Sequence, residues 1–92
     1  MKNYLVTHTF KSDDTRKAHF EAAQGMTEEQ FRAHMKNDNA SLQMNWGNEE
    51  LMKTYCWWKA NSPEDILNTL GDMADLYEND IQEMTNILDI AD

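Results

Sequence analysis

Met52-Lys53-Thr54-Tyr55-Cys56-Trp57-Trp58-Lys59-Ala60, followed at once by Asn61-Ser62-Pro63-Glu64-Asp65, is the stretch on which the fold turns. Met52 to Ala60 is the most strongly β-inclined part of the chain, crowded with aromatic and β-branched side chains. Alternation sets Met52, Thr54, Cys56, Trp58 and Ala60 on one side of that strand and Lys53, Tyr55, Trp57 and Lys59 on the other. A face carrying Tyr55 and Trp57 between two lysines is too apolar for bare solvent, and such patches mark an interface or a ligand groove. Ser62-Pro63-Glu64-Asp65 then supplies a hydroxyl cap, a proline at the first helical position and acids at the positive helix end. It predicts a helix whose apolar stripe is Ile66, Leu67, Leu70 and Met73, with Gly71 as a weak point or an early stop.

Working outward, Tyr4-Leu5-Val6-Thr7-His8-Thr9-Phe10 predicts a strand that stops at Lys11-Ser12-Asp13-Asp14. Ser12 or Asp13 caps a following helix, with Ala18, Phe20, Ala22 and Ala23 as its apolar side, ending at Gly25 where positive φ costs little. Thr27-Glu28-Glu29-Gln30 has the capping-box form and opens a second helix, on which Phe31 and Met35 share a face. Leu42, Met44 and Trp46 alternate with Ser41, Gln43 and Asn45 as a strand would. A short turn is expected at Gly47-Asn48-Glu49-Glu50, and a last strand at Ile81 to Ile90. With those two helices taken as one broken crossover, the order β-α-β-β-α-β predicts an α+β, ferredoxin-like plan: a four-stranded antiparallel sheet, helices on one face, the first and third strands side by side at the centre. At 92 residues the whole chain, 1–92, reads as a single such domain.

The 8 Lys and Arg against 17 Asp and Glu give a net charge of −9, which opposes nucleic acid and anionic membrane surfaces as partners. Residues 1–60 hold 8 basic and 8 acidic side chains, so the whole excess falls in residues 61–92, with 9 acids and no base. That block reads as a solvated acidic face or a cation-binding one. The lone Cys56 excludes an intrachain disulfide framework. No apolar run approaches the ~20 residues that span a bilayer, and MKNYLVTHTF lacks a signal-peptide pattern. A cytoplasmic protein is the expectation. In the plan above the sheet face away from the helices has no cover from its own chain. A second copy covering roughly 800 Å² per partner supplies one, so a homodimer through that face is expected.

The framework that runs from Tyr4-Leu5-Val6-Thr7-His8-Thr9-Phe10 through Lys53-Thr54-Tyr55-Cys56-Trp57-Trp58-Lys59-Ala60-Asn61-Ser62-Pro63-Glu64 to Ile81-Gln82-Glu83-Met84 resembles the dimeric α+β barrel superfamily. Within it, the chain is similar to a small, largely uncharacterised family that includes a nickel-binding protein. The likeness covers most of the chain, and its sharpest piece is Tyr55-Cys56 followed by Ala60-x-Ser62-Pro63-Glu64. Other members of the superfamily are cofactor-free monooxygenases of the antibiotic-biosynthesis type, whose ligand cavities lie between the sheet and its helices. The resemblance implies a dimer and raises that chemistry by analogy of fold.

Of the three histidines, His8 falls on the first strand, while His19 and His34 fall in the crossover helices; none has metal-motif spacing. His8 reads either as a packed, hydrogen-bonded side chain or as a metal ligand. In the second case adjoining strands offer Cys56 and Glu83, an imidazole, thiolate and carboxylate set suited to nickel or zinc. Cys56 on its own reads as a small buried hydrophobe, since no acidic orienter completes a cysteine nucleophile. Trp46, Tyr55, Trp57 and Trp58 read as core and dimer interface or, alternatively, as walls of a pocket for a flat hydrophobic ligand. His8, Asn45 and Thr54 would be that pocket's polar anchors. Lysines interleaved with aromatics resemble sheet-type RNA readers, but the net charge opposes that. The seven methionines are spread through apolar positions and read as core filler.

Three functions are therefore expected as alternatives. One is a homodimeric binding protein holding a small aromatic ligand or a transition metal near the sheet. Another is a small cofactor-free oxygenase or isomerase walled by Trp46 and Trp57. The third is an interaction module that only dimerises.

Overall fold

The computed structural model describes residues 1–47 and 50–91. Among these the elements run β1 (Lys2–Phe10), α1 (Asp13–Gln24), α2 (Glu28–His34), β2 (Ala40–Gly47), β3 (Lys53–Ala60), α3 (Pro63–Leu70), a 3₁₀ helix (Gly71–Leu76) and β4 (Tyr77–Met84). The fold is α+β: one antiparallel sheet in the order β2-β3-β1-β4, with β1 and β3 at its centre. Of the turn expected at Gly47–Glu50, residues 48 and 49 lie outside the described residues.

The helix starts follow their caps. Ser12 Oγ accepts from Thr15 N at 3.1 Å while Thr15 Oγ1 accepts from Ser12 N at 3.0 Å, and Thr27 and Gln30 make the same reciprocal pair at 3.1 and 3.0 Å. At α3, Ser62 Oγ accepts from Asp65 N at 3.3 Å, with Pro63 in the first turn. Its stop is Gly71, at φ 60 and ψ −131, a conformation that side chains with a Cβ avoid. Gly25 does not act this way: its φ is −74, and α1 ends in a right-handed turn.

One face of the sheet is dry. Tyr4, Val6, His8 and Phe10 of β1 and Thr54, Cys56, Trp58 and Ala60 of β3 are all buried, and they share the core with Met35, Ile66, Leu70 and Tyr77. This is the alternation expected of β3, and it directs Lys53, Tyr55, Trp57 and Lys59 to the opposite face, where none is buried.

Three expectations are corrected. The last strand is Tyr77–Met84, not Ile81 to Ile90. Asn3 of β1 pairs with Met84, so beyond that point β1 offers almost no backbone to bond with, and pairing decides a strand that pattern alone cannot. Leu42, Met44 and Trp46 do not share a face: a bulge between Leu42 and Met44 inserts one residue. Leu42 stands opposite buried Trp58, whereas Met44 and Trp46 stand opposite Trp57 and Tyr55. In α1 the inward residue is His19, with Arg16, Phe20 and Ala23 partly buried, while Ala18 and Ala22 are exposed. Positions 16, 19, 20 and 23 form one helical stripe that the alanines had hidden.

Candidate functional site

Between the sheet and the helices lies a small enclosed chamber, with His8, Thr54, Cys56, Trp58 and Tyr77 on its sheet side and His19, Phe31, Met35, Leu70 and Met73 on the other. Its free volume is about 10 Å³, the room one water needs. Three buried polar atoms around it have no hydrogen-bond partner among the described residues: His8 Nε2, His19 Nδ1 and Trp58 Nε1. Buried polar groups are nearly always paired, and leaving one unpaired costs roughly 1–3 kcal/mol. All three belong to residues that line the chamber.

The proton on His8 can be assigned from its neighbours. Asn79 Nδ2 donates to the Ala74 carbonyl at 3.1 Å, which leaves Asn79 Oδ1 facing His8 Nδ1 at 2.6 Å. An amide oxygen only accepts, so Nδ1 carries the hydrogen and Nε2 is left as the acceptor. Burial pulls the His8 pKa down from its ordinary value, an effect that the Asn79 bond opposes only partly, and burial lowers His19 likewise. Burial thus favours the neutral form of both imidazoles. Tyr77 packs on His8 at 4.6 Å between ring centroids, and His19 lies 5.8 Å from the same ring. Burial is also the main force on Cys56, whose thiol is pushed up to about 12. The Asn45 amide, donating to Sγ at 3.3 Å, offsets this in part. The Tyr77 hydroxyl is pushed upward by burial as well.

Of these residues' unpartnered atoms, His8 Nε2 is a hydrogen-bond acceptor, Trp58 Nε1 a donor, and His19 Nδ1 either, according to its tautomer. Among the described residues that line it there is no carboxylate. A proton taken by His8 would leave a buried imidazolium oriented only by a neutral amide, a poor base for turnover.

Expected site residues divide across the sheet. His8, Asn45 and Thr54 line the chamber, whereas Trp46, Tyr55 and Trp57 are on the open face. Trp57 Nε1 donates to Asn3 Oδ1 at 3.0 Å, which pins its ring there. A shallow groove of about 300 Å³ runs beside it, walled by Asn3, Leu5, Trp46, Trp57, Met84 and Ile87. Of the metal candidates, His8 and Cys56 share the chamber, but Glu83 pairs in register with Tyr4 and forms an exposed ion pair with Lys2 at 3.4 Å. It is four residues along β4 from Asn79, which faces His8, or about 13 Å at ~3.3 Å per residue. As placed, His8, Cys56 and Glu83 do not form a coordination set for nickel or zinc. Among the described residues no group of three or more His, Cys, Asp or Glu side chains could hold a metal ion.

His19, Tyr77 and Asn79 are the site residues that sequence reading passes over, whereas Trp58 is among the aromatic pocket walls it names. The 16-19-20-23 spacing could have found His19, and alternation did place Trp58 inward. Nothing local singled out Asn79, a polar residue on a strand whose inward role exists only because His8 is opposite it.

A second opening adjoins the chamber. The groove between α2 and β2, about 720 Å³, shares Phe31, Met35, Leu42 and Asn45 with the chamber wall, so these four side chains separate solvent from the interior. No helix among the described residues is long and apolar enough to cross a membrane.

Compared with protein-family models, with curated proteins and with solved structures, the chain finds no match. The functional reading is therefore carried by the geometry above.

Proposed function

We propose that this chain is a small homodimeric binding protein, a ferredoxin-like unit that joins a second copy through its open sheet face and holds a small neutral ligand whose hydroxyl alone enters the water-sized His8–His19–Trp58 chamber, its body lying in the adjoining α2–β2 groove. The observation that carries this reading is that three unpartnered buried polar atoms belong to residues lining one cavity. One of them is an acceptor and one a donor, so the group that satisfies them both gives and receives a hydrogen bond, as a hydroxyl on an apolar or aromatic body does. A charged ligand fits poorly, since the chamber has no ion to pair with it. The entry route is the α2–β2 groove, where Phe31 and Leu42 must swing aside.

Support for the dimer comes from the other face. Leu5, Met44, Trp46 and Tyr55 are each at least 41% exposed on it, and Trp57 lies among them. Alternation along the edge strand β4 sets Glu78 and Asp80 at one border of this patch, while Lys53 and Lys59 bracket Tyr55 and Trp57 at the two ends of β3.

The chamber is tested by thermal unfolding with and without simple phenols, beside benzoates of the same size. A ligand at 100-fold its Kd stabilises the native state by about 2.7 kcal/mol. The expected result is a rise in Tm with phenols, none with benzoates, and loss of the rise in His8→Phe, which keeps a ring and removes both nitrogens. Equal shifts in His8→Phe and the parent would overturn the reading.

A further inference from the structure

Just past β4 the chain carries its most exposed large apolar side chains: Leu88 is 83% and Ile90 82% exposed. Residues 85–91 adopt no regular structure, since β4 runs out of partner at Asn3. At the root of this segment is the open-face groove of Leu5, Trp46, Trp57, Met84 and Ile87, large enough for two branched aliphatic side chains. One chain thus presents both an unfilled apolar groove and an unburied apolar segment, and exposed surfaces of this kind mark interaction sites.

We propose that Leu88 and Ile90 of one copy fill this groove on a second copy, and the reverse, so that the dimer is fastened by a mutual exchange of tails. The inference rests on the homodimer reading above. Two observations favour the second copy over the chain's own groove. Ile87 already forms part of the groove wall, and no Gly or Pro lies between Thr85 and Ile90 to turn the next residues back upon it. Charge points the same way. Asp89 sits between the two apolar residues, while Lys59, paired in register with the groove residue Asn3, makes no ion pair among the described residues. A tail arriving from a second copy brings its carboxylate to that ammonium. In a closed two-fold assembly both grooves and both tails are used, with none left to recruit a third chain.

The test is a dilution series by sedimentation equilibrium on the full chain and on the double variant Leu88→Asp/Ile90→Asp, both sites being exposed enough to leave the fold intact. The exchange predicts at least a 100-fold rise in the dimer Kd and an unchanged Tm for the dissociated subunit. A second arm oxidises the Leu5→Cys/Leu88→Cys variant and expects a covalent dimer on a non-reducing gel. An unchanged Kd with no cross-linked dimer overturns the exchange and leaves the homodimer standing. A cross-link formed within one chain assigns the tail to its own groove and also overturns it. A parent chain that sediments as a single subunit at every concentration removes the homodimer itself, and the exchange with it.

Discussion

Trp58 is fully buried against the helices with its indole N–H unpaired, while Trp57, the residue before it, lies half-exposed on the other side of the sheet with its N–H held by Asn3. The same strand thus builds two unlike surfaces. On the helix side, apolar packing surrounds a few polar atoms that have nothing to bond. On the open side, polar atoms are satisfied and apolar area is left in water. The first is a surface in want of a hydrogen-bonding guest, the second in want of dry cover, and a sheet of alternating side chains delivers both from one sequence.

The contrast is most sharply broken by exchanging alanine for each tryptophan in turn. Trp58→Ala deletes a fully buried ring and should cost about 3–5 kcal/mol in urea unfolding. Trp57→Ala should cost under about 1 kcal/mol in the dissociated subunit but raise the dimer Kd markedly. Equal stability losses would mean that the two faces do not differ as described.

Acid probes the chamber alone. His8 and His19 have folded pKa values held below the ordinary 6.5 by burial, so below about that pH the unfolded chain binds more protons than the native one. Their contribution is complete above pH 6.5 and is lost as pH falls through the lower folded values. The urea midpoint should drop between pH 7 and pH 5, and the drop should shrink in His8→Phe/His19→Phe. An equal drop in both proteins would assign the acid sensitivity to carboxylates elsewhere.

Smaller effects sharpen the picture. His8→Phe leaves Asn79 Oδ1 unpaired but removes the orphaned Nε2, for a net loss of about 1–2 kcal/mol by chemical unfolding. Gly71→Ala meets no atom within 4 Å, so its cost is backbone strain at φ 60, about 1 kcal/mol. It touches neither face and should leave the dimer Kd unchanged.

Much of this was legible before the structure. The alternation of Met52 to Ala60 gave the inner and outer sides of β3, the caps at Ser12, Thr27 and Ser62 gave the helix starts, and the order of elements gave a sheet with β1 and β3 at its centre. What escaped was non-local. The bulge at Leu42/Met44 and the early end of β4 at Met84 depend on which strand lies alongside, information that no window of the sequence contains. The site was half legible for the same reason. His8, Asn45 and Thr54 were named as anchors, yet they were grouped with Trp46, Tyr55 and Trp57 from the opposite face. Asn79 became meaningful only when β4 laid it across from His8.

The central claim is that the two faces do different work, the covered one binding and the open one assembling. Light-scattering mass at micromolar concentration tests it most directly, read on the parent and on Trp57→Asp. The account predicts twice the 10.8 kDa chain mass for the parent and a single chain mass, still cooperatively folded, for the variant. A parent that runs as one subunit, or a Trp57→Asp protein that stays a dimer, would contradict it.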